Sequence, residues 1–241
     1  MTYTLYFSPD SANLVIRMVL EELRVGYEEK QVARKRSERS ADFFALNPRG
    51  LLPVLIDHET DASVFETGAI LLYLADKHGA LAPKPNTFRA RGACLRWLFM
   101  LSNTLHADLA MTFYAERYAN SLADAKLVHA AAAHRVLGHL ELLNRHIDES
   151  EGEWFLGAGL SICDFYLGCC VRWAQLYPAD RAAVTSAKIM SFSSLVELLR
   201  RTERRPSVKA ALEKERIQGP AFIQPISPLP ARVPDGVGAI S

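Results

Sequence analysis

Cysteine is scarce in this chain of 241 residues: Cys94, Cys163, Cys169 and Cys170 are the four it has, with no C-x-x-C pair among them. That scarcity argues against a disulfide-stapled scaffold and a structural zinc site, and leaves the four as buried small apolar residues. Excess charge of either sign is also missing. The 28 Lys and Arg stand against 27 Asp and Glu, a formal +1, so there is no electrostatic footing for nucleic acid or an anionic lipid surface. No run approaches the roughly 18 apolar residues of a membrane span, and Met1-Thr2-Tyr3-Thr4-Leu5 lacks the basic and apolar segments of a secretory leader. The expected setting is cytoplasmic, away from membranes. His129, His134, His139 and His146 miss the i, i+4 spacing of a helical zinc site, and Gly157-Ala158-Gly159 has Ile162 where a dinucleotide fingerprint needs its last glycine. No metal is expected.

What is present is an ordinary globular balance, 49% hydrophobic, in a chain long enough for two modest domains. Thr4 to Phe7 reads as a strand and Asn13 to Leu23 as a helix, with Leu14, Val15, Met18, Val19 and Leu23 on one face and Gly26 as its stop. Tyr27 to Val32 suggests a second strand, Ala41 to Leu46 a short helix, and Val54 to Asp57 with Ser63 to Phe65 a hairpin. A helix from Thr67 should end at His78-Gly79, where glycine takes the left-handed cap. Residues 1–80 then read β-α-β-α-β-β-α, and 81–87, around Pro83 and Pro85, form a linker.

Residues 88–218 read as helical. Leu95, Leu98, Phe99, Leu105 and Leu109 suggest one long helix, and Val136, Leu140, Leu143 and Ile147 another. Ser161-x-x-Asp164 predicts a capped, buried helix through Trp173. Trp97, Trp154 and Trp173 read as core, and segments 195–199 and 208–212 suggest two further helices. Over 219–241, five prolines and three glycines point to an extended tail.

The most informative stretch is Asn47-Pro48-Arg49-Gly50-Leu51-Leu52-Pro53-Val54-Leu55. Leu52 precedes proline and is pushed toward extended geometry, and Pro53 can be cis, so the turn can present the Leu52 backbone to a short peptide as though to another strand. About ten residues on, Phe65-Glu66-Thr67-Gly68 puts a carboxylate, a hydroxyl and the free N–H groups of a helix start at one point, which suits a zwitterion. A hydroxyl cap and a first-turn acid would also serve any helix.

With Leu5-Tyr6-Phe7-Ser8-Pro9-Asp10-Ser11, the stretch from Trp154 to Asp164, and Arg205-Pro206-Ser207-Val208-Lys209-Ala210, these segments resemble the glutathione S-transferase family over nearly the whole chain. The resemblance implies an α/β thioredoxin-like N-terminal domain, an all-α helical-bundle C-terminal domain, and a cytosolic enzyme of bacterial type. Glutathione, as co-substrate, would lie on Leu52, Pro53, Glu66 and Thr67 with Arg49 nearby. The serine-using branches, resembling the theta and delta classes, place thiol activation on Ser11; Ser8, Asn13 and the strand residue Tyr6 are alternatives. Ser11 read without the family is simply a helix cap. Ala12 stands where the bacterial beta class has cysteine, and Leu51 where that class has glutamine, so neither mixed-disulfide chemistry nor that class's substrate preferences carry over.

The family reading implies transfer of the glutathione thiolate to a hydrophobic electrophile, as in detoxification. The alternatives are glutathione-dependent reduction, including of peroxides, and a non-catalytic module that binds ligands or proteins. His106, Met111, Phe113, Tyr114, Arg117 and Tyr118 would line the second-substrate pocket, or serve as ordinary helix core. Arg34-Lys35-Arg36 with Arg39 reads as a solvated charge run, one member of which could meet the glycyl carboxylate. The resemblance also implies a homodimer, with Arg89, Arg91 and Arg96 as polar interface candidates.

Overall fold

In the computed structural model, which describes residues 2–157 and 159–228, the first third of the chain builds a four-stranded mixed sheet flanked by helices. Strands β1 (Tyr3–Phe7), β2 (Tyr27–Gln31), β3 (Val54–Asp57) and β4 (Ala62–Phe65) lie in the order β2-β1-β3-β4. β1 and β2 are parallel, which requires a crossover, and α1 (Asn13–Leu23) supplies it. β3 runs antiparallel to both its neighbours, with Leu5 opposite Leu55 and Tyr6 opposite Val54. With α2 (Ala41–Leu46) and α3 (Thr67–His78), the order is the expected β-α-β-α-β-β-α.

Helix α1 is the hub of this part of the molecule. Leu14, Val15, Ile16, Met18, Val19 and Leu20 are all fully buried, because α1 is covered by the sheet on one side and by helices on the other. Its stop differs from the expected one. Arg24, not Gly26, takes the left-handed conformation, at φ 54°, and its N–H closes the last turn. Gly79 does fill the same role after α3, at φ 62°.

The rest is helical, in agreement with the reading from sequence. Helices α4 (Phe88–Met100) and α5 (His106–Phe113) form one continuous rod, interrupted by a π-helical stretch at Leu101–Leu105. The wider turn shifts the phase of the rod. Cys94, Leu98, Leu101, Leu105 and Leu109 face the core, whereas Phe99, expected beside them, is 53% exposed.

Helix α6 (Leu122–Glu149) buries Val136, Leu140 and Leu143, with Ile147 packed alongside, as their spacing predicts. Helix α7 (Ile162–Leu176) is buried along almost its whole length. Its capping box is formed: Asp164 accepts the Ser161 N–H at 2.8 Å and the Phe155 N–H at 2.9 Å. Burial pushes the Asp164 carboxyl up to about 6 against the pull of these donors.

Helices α8 (Ser186–Met190), α9 (Ser193–Glu203) and α10 (Pro206–Lys214) complete the fold; the five-residue α8 has no clear sequence signal. All four cysteines are buried thiols, Trp173 is core, and Trp97 and Trp154 pack against the core while partly buried.

After α10 the chain folds back as an irregular strap. Phe222 lies against Gly168 of α7, where a Cβ would come within 2.7 Å of the ring. Ala221, Phe222 and Ile223 are buried against the body, whereas Gln224 and Ile226 are exposed; residues 229–241 of the expected tail lie outside the described residues. No helix among the described residues is long and apolar enough to cross a membrane.

Candidate functional site

The loop from β1 to α1 carries Ser8, Asp10, Ser11 and Asn13. Ser11 does not cap the helix. The N-cap position belongs to Ala12, no side chain caps the helix there, and the Ser11 hydroxyl instead donates to the Asn13 side-chain oxygen. That same oxygen accepts the Ser8 N–H at 3.0 Å, and the Asn13 amide donates to Glu215 at 2.6 Å. Glu215, at the end of α10, also accepts from Arg17 at 3.0 Å and from the Asp10 N–H at 2.7 Å. Burial pushes its carboxyl up to about 7, while the Arg17 guanidinium and the Asp10 N–H pull the other way.

Asp10 itself is buried at φ 51°, and its carboxylate takes a two-pronged ion pair from Arg172 at 2.8 and 2.9 Å and the Tyr177 hydroxyl at 2.6 Å. Arg172 reaches further, to the carbonyls of Ala221 and Ile226 in the strap. The loop is therefore clamped by two buried acid–arginine pairs, one against α10 and one against α7. Tyr6, the strand alternative to Ser11, places its ring 5.7 Å from Phe43.

The second element is the turn before β3, where the Leu52–Pro53 bond is cis. Three preceding carbonyls are taken: that of Arg49 by Arg36, that of Gly50 by Arg39, and that of Leu51 by the Asn47 amide at 2.9 Å. Leu52 is different. Neither its N–H nor its C=O is bonded among the described residues, so both are open for a strand-like partner.

The arginine run has an ordered role that composition does not suggest. Arg34 donates to the Pro9 carbonyl at 2.6 Å, and Arg36 and Arg39 hold the turn, so one segment fastens both the Ser11 loop and the Leu52 turn.

The third element is the start of α3. Glu66 occupies its N-cap at φ 71° without a capping bond from its side chain, and its carboxylate pairs with Arg49 at 2.6 Å. Thr67 is buried and faces the Tyr166 hydroxyl of α7. The first-turn N–H groups of α3 and the Glu66 carboxylate thus sit together, offering one partner for an anion and one for a cation.

The residues expected to line a second pocket divide into groups. Phe113 and Tyr114 adjoin at 6.3 Å between ring centres, Phe113 meets Tyr177 at 6.0 Å, and the Arg117 guanidinium lies 3.9 Å over the Tyr114 ring. Tyr118 is exposed at the end of the same 3₁₀ turn, Ala115–Tyr118. Met111 turns toward α6, where its sulfur meets Arg135. His106 bonds the Tyr166 hydroxyl at 2.8 Å and stacks on Trp173 at 5.1 Å, and burial pulls it down to about 4, so it stays neutral at ordinary pH.

Asp10, Arg17, Arg172 and Glu215 do not stand out in the sequence. The signal available is a lone arginine inside each of two apolar helices, which calls for a buried counter-charge without saying which acid supplies it. Among the described residues, no group of three or more His, Cys, Asp or Glu is placed to hold a metal ion.

Residues 1–76 match the family described as Glutathione S-transferase, N-terminal domain, and residues 104–215 match Glutathione S-transferase, C-terminal domain. Disulfide-bond oxidoreductase YfcG of Escherichia coli is 29% identical over 187 residues, covering 73% of this chain and 81% of that protein. An uncharacterized GST-like protein of Streptococcus mutans is 30% identical over 216 residues, 83% of this chain and 77% of that one. Among solved structures, a sphingomonad glutathione S-transferase complexed with glutathione superposes with a TM-score of 0.74 at 26% identity, covering 89% of this chain and all of that one (100%).

Proposed function

Because the chain belongs to the glutathione S-transferase family, we propose that it binds glutathione across the three elements above and transfers its sulfur to an electrophilic carbon. The observation that carries this reading is the open backbone of Leu52, held between the Ser11 loop and the start of α3. In this reading the cysteinyl unit of the tripeptide pairs with the Leu52 N–H and C=O. The γ-glutamyl end sets its carboxylate on the first N–H groups of α3 and beside Thr67, and its ammonium on Glu66, displacing or sharing Arg49. Ser11 turns its hydroxyl from Asn13 to the sulfur.

The energetics suffice without a metal or a general base. A thiol of pKa about 8.5 is only about 3% ionised at pH 7, and lowering it by about two units costs about 2.7 kcal/mol. One hydrogen bond to a charged acceptor supplies about 1.5 to 3 kcal/mol and the start of α1 about 0.3 to 1. The thiolate then attacks, a carbon–sulfur bond forms, and the leaving group departs with its electron pair.

A second reading has its own support. YfcG, which aligns with 73% of this chain, is named a disulfide-bond oxidoreductase, and the same thiolate can attack sulfur in place of carbon. The reading further divides the chain into a glutathione-holding part, 1–80, a linker, 81–87, a helical part, 88–218, and the tail, 219–241, in a cytoplasmic protein acting on hydrophobic electrophiles.

Titrating glutathione into the protein while following thermal unfolding tests the whole proposal. At about 100 times its dissociation constant the tripeptide should add about 2.7 kcal/mol of stability. No shift at millimolar glutathione would leave the fold as a module without this ligand.

We also propose a homodimer in which α4 lies at the contact. Phe88 at its start is 83% exposed, beside Arg89, while Arg91, one turn on, is engaged with Asp76 of α3 at 2.7 Å. An apolar ring so exposed is covered when two copies meet. Sedimentation at micromolar concentration should give twice the chain mass; a single-chain mass there, unchanged by Phe88→Ser, rejects the assignment.

A further inference from the structure

An aromatic strip with arginine at both ends leads away from the Ser11 loop. It starts at Pro9, whose carbonyl takes Arg34 at 2.6 Å; the Arg34 guanidinium lies 5.9 Å over Tyr177. Tyr177 meets Phe113, Phe113 meets Tyr114, and Arg117 closes the far end over Tyr114. Arg39 faces this strip from the N-terminal side: burial lowers it first, Tyr114 opposes that, and the nearby charges of Arg36, Arg34 and Arg117 lower it further. Cations from both parts of the chain thus lie near one another at the Tyr114 end of the strip.

The described acids around them are committed elsewhere. Glu38 pairs with Lys35 at 3.8 Å, Glu116 with Arg181 at 2.9 Å, Glu66 with Arg49 at 2.6 Å, and Asp10 with Arg172 at 2.8 Å. Among the described residues, Arg34, Arg36, Arg39 and Arg117 have no carboxylate at ion-pair distance. In a chain whose overall balance is only +1, four guanidiniums gathered with no carboxylate at ion-pair distance among the described residues are a local arrangement and not a by-product of composition. Mutual repulsion disfavours it, and an anion would relieve that.

We propose that the second substrate is a planar aromatic electrophile bearing a carboxylate, its ring against Tyr114, Phe113 and Tyr177 and its anionic group on Arg117. This rests on the transferase reading above and names the substrate class for it. Guanidinium suits the task, since its planar fork matches a carboxylate and stacks on aromatic faces. The tripeptide's own glycyl carboxylate is the other possible source of negative charge. The rings favour the electrophile, because a peptide laid along Leu52 has no flat apolar body to place on them.

The test compares 4-chloro-3-nitrobenzoate with the neutral 4-chloro-3-nitrobenzamide in the full-length protein with saturating glutathione. In each case the carbon–sulfur bond forms, the carbon–chlorine bond breaks, chloride leaves with the electron pair, and the thiol proton passes to solvent. Each kcat/KM is divided by the uncatalysed rate constant for that compound. The expected preference for the carboxylate is at least about tenfold, falling toward unity in Arg117→Met and in high salt, with the glutathione KM unchanged.

Arg117 is exposed, so this variant should fold; Arg117→Gln guards against a packing effect and should lose the preference equally. Turnover of the amide without preference for the carboxylate overturns this inference and leaves the transferase reading standing. A rise in glutathione KM in Arg117→Met, with the preference intact, assigns the cation to the tripeptide and also overturns it. Glutathione binding with no conjugation of either compound removes both.

Discussion

Replacing Ser11 by Ala is expected to strip bound glutathione of most of its thiolate at neutral pH. The ionised fraction should fall from roughly three-quarters to about 5 to 14%, the start of α1 still lowering the thiol by about 0.2 to 0.7 units, a loss of about 5- to 15-fold in the attacking species and a similar loss in kcat/KM. The pH profile of conjugation should move up by about 1.3 to 1.8 units, while glutathione affinity, which the proposed pose sets at Leu52, Glu66 and Thr67, changes little. Ser11 is suited to this role because its hydroxyl is not spent on a helix cap: it rests on Asn13, an acceptor that keeps the Ser8 N–H when the serine turns away. Ultraviolet thiolate absorbance of the bound tripeptide checks the assignment directly. A Ser11→Ala variant that retains that absorbance and its rate would move the role to Ser8, Asn13 or Tyr6.

The second large effect is on stability. Arg172→Met should cost about 3 to 5 kcal/mol, read as a drop in the urea midpoint. The methionine fills the space but leaves the Asp10 carboxylate buried with only the Tyr177 hydroxyl, and leaves the strap carbonyls of Ala221 and Ile226 without their donor. Adding Asp10→Asn should recover part of the loss, because the amide carries no charge to strand. A loss below about 1 kcal/mol in the single variant would mean that water reaches this pair, against the full burial of both residues.

Much of the fold can be read from the sequence, and the reason is that its signals are local. Leu52-Pro53, the Ser161 and Asp164 capping box, Gly79 after α3 and the apolar spacing of α6 each act within a few residues, and each appears where the spacing puts it. Two local features nonetheless escape such a reading. Arg24 adopts a left-handed backbone that favours glycine, two residues before the glycine that was available, and the π-helical stretch at Leu101–Leu105 follows an exposed Phe99 without any proline or glycine to announce it.

The candidate site is legible only in part, for the same reason turned round. Leu52, Glu66 and Thr67 sit in recognisable local motifs. The groups that hold Ser11 do not: Asn13 and Glu215 are 202 positions apart, Asp10 and Arg172 are 162, and no pattern within a window connects them. The arginine run at 34–39 reads as solvated because a charge run looks alike whether its guanidiniums face water or backbone carbonyls.

The Glu215 link also bears on how the protein comes to exist. Synthesis proceeds at about 5 to 20 residues per second, so Ser11 is added some 10 to 40 seconds, and the last strand of the sheet some 7 to 30 seconds, before the glutamate that steadies Asn13. A nascent chain in that interval can hold the serine but not its orientation. Translation halted before α10 would therefore yield a fragment without a set hydroxyl.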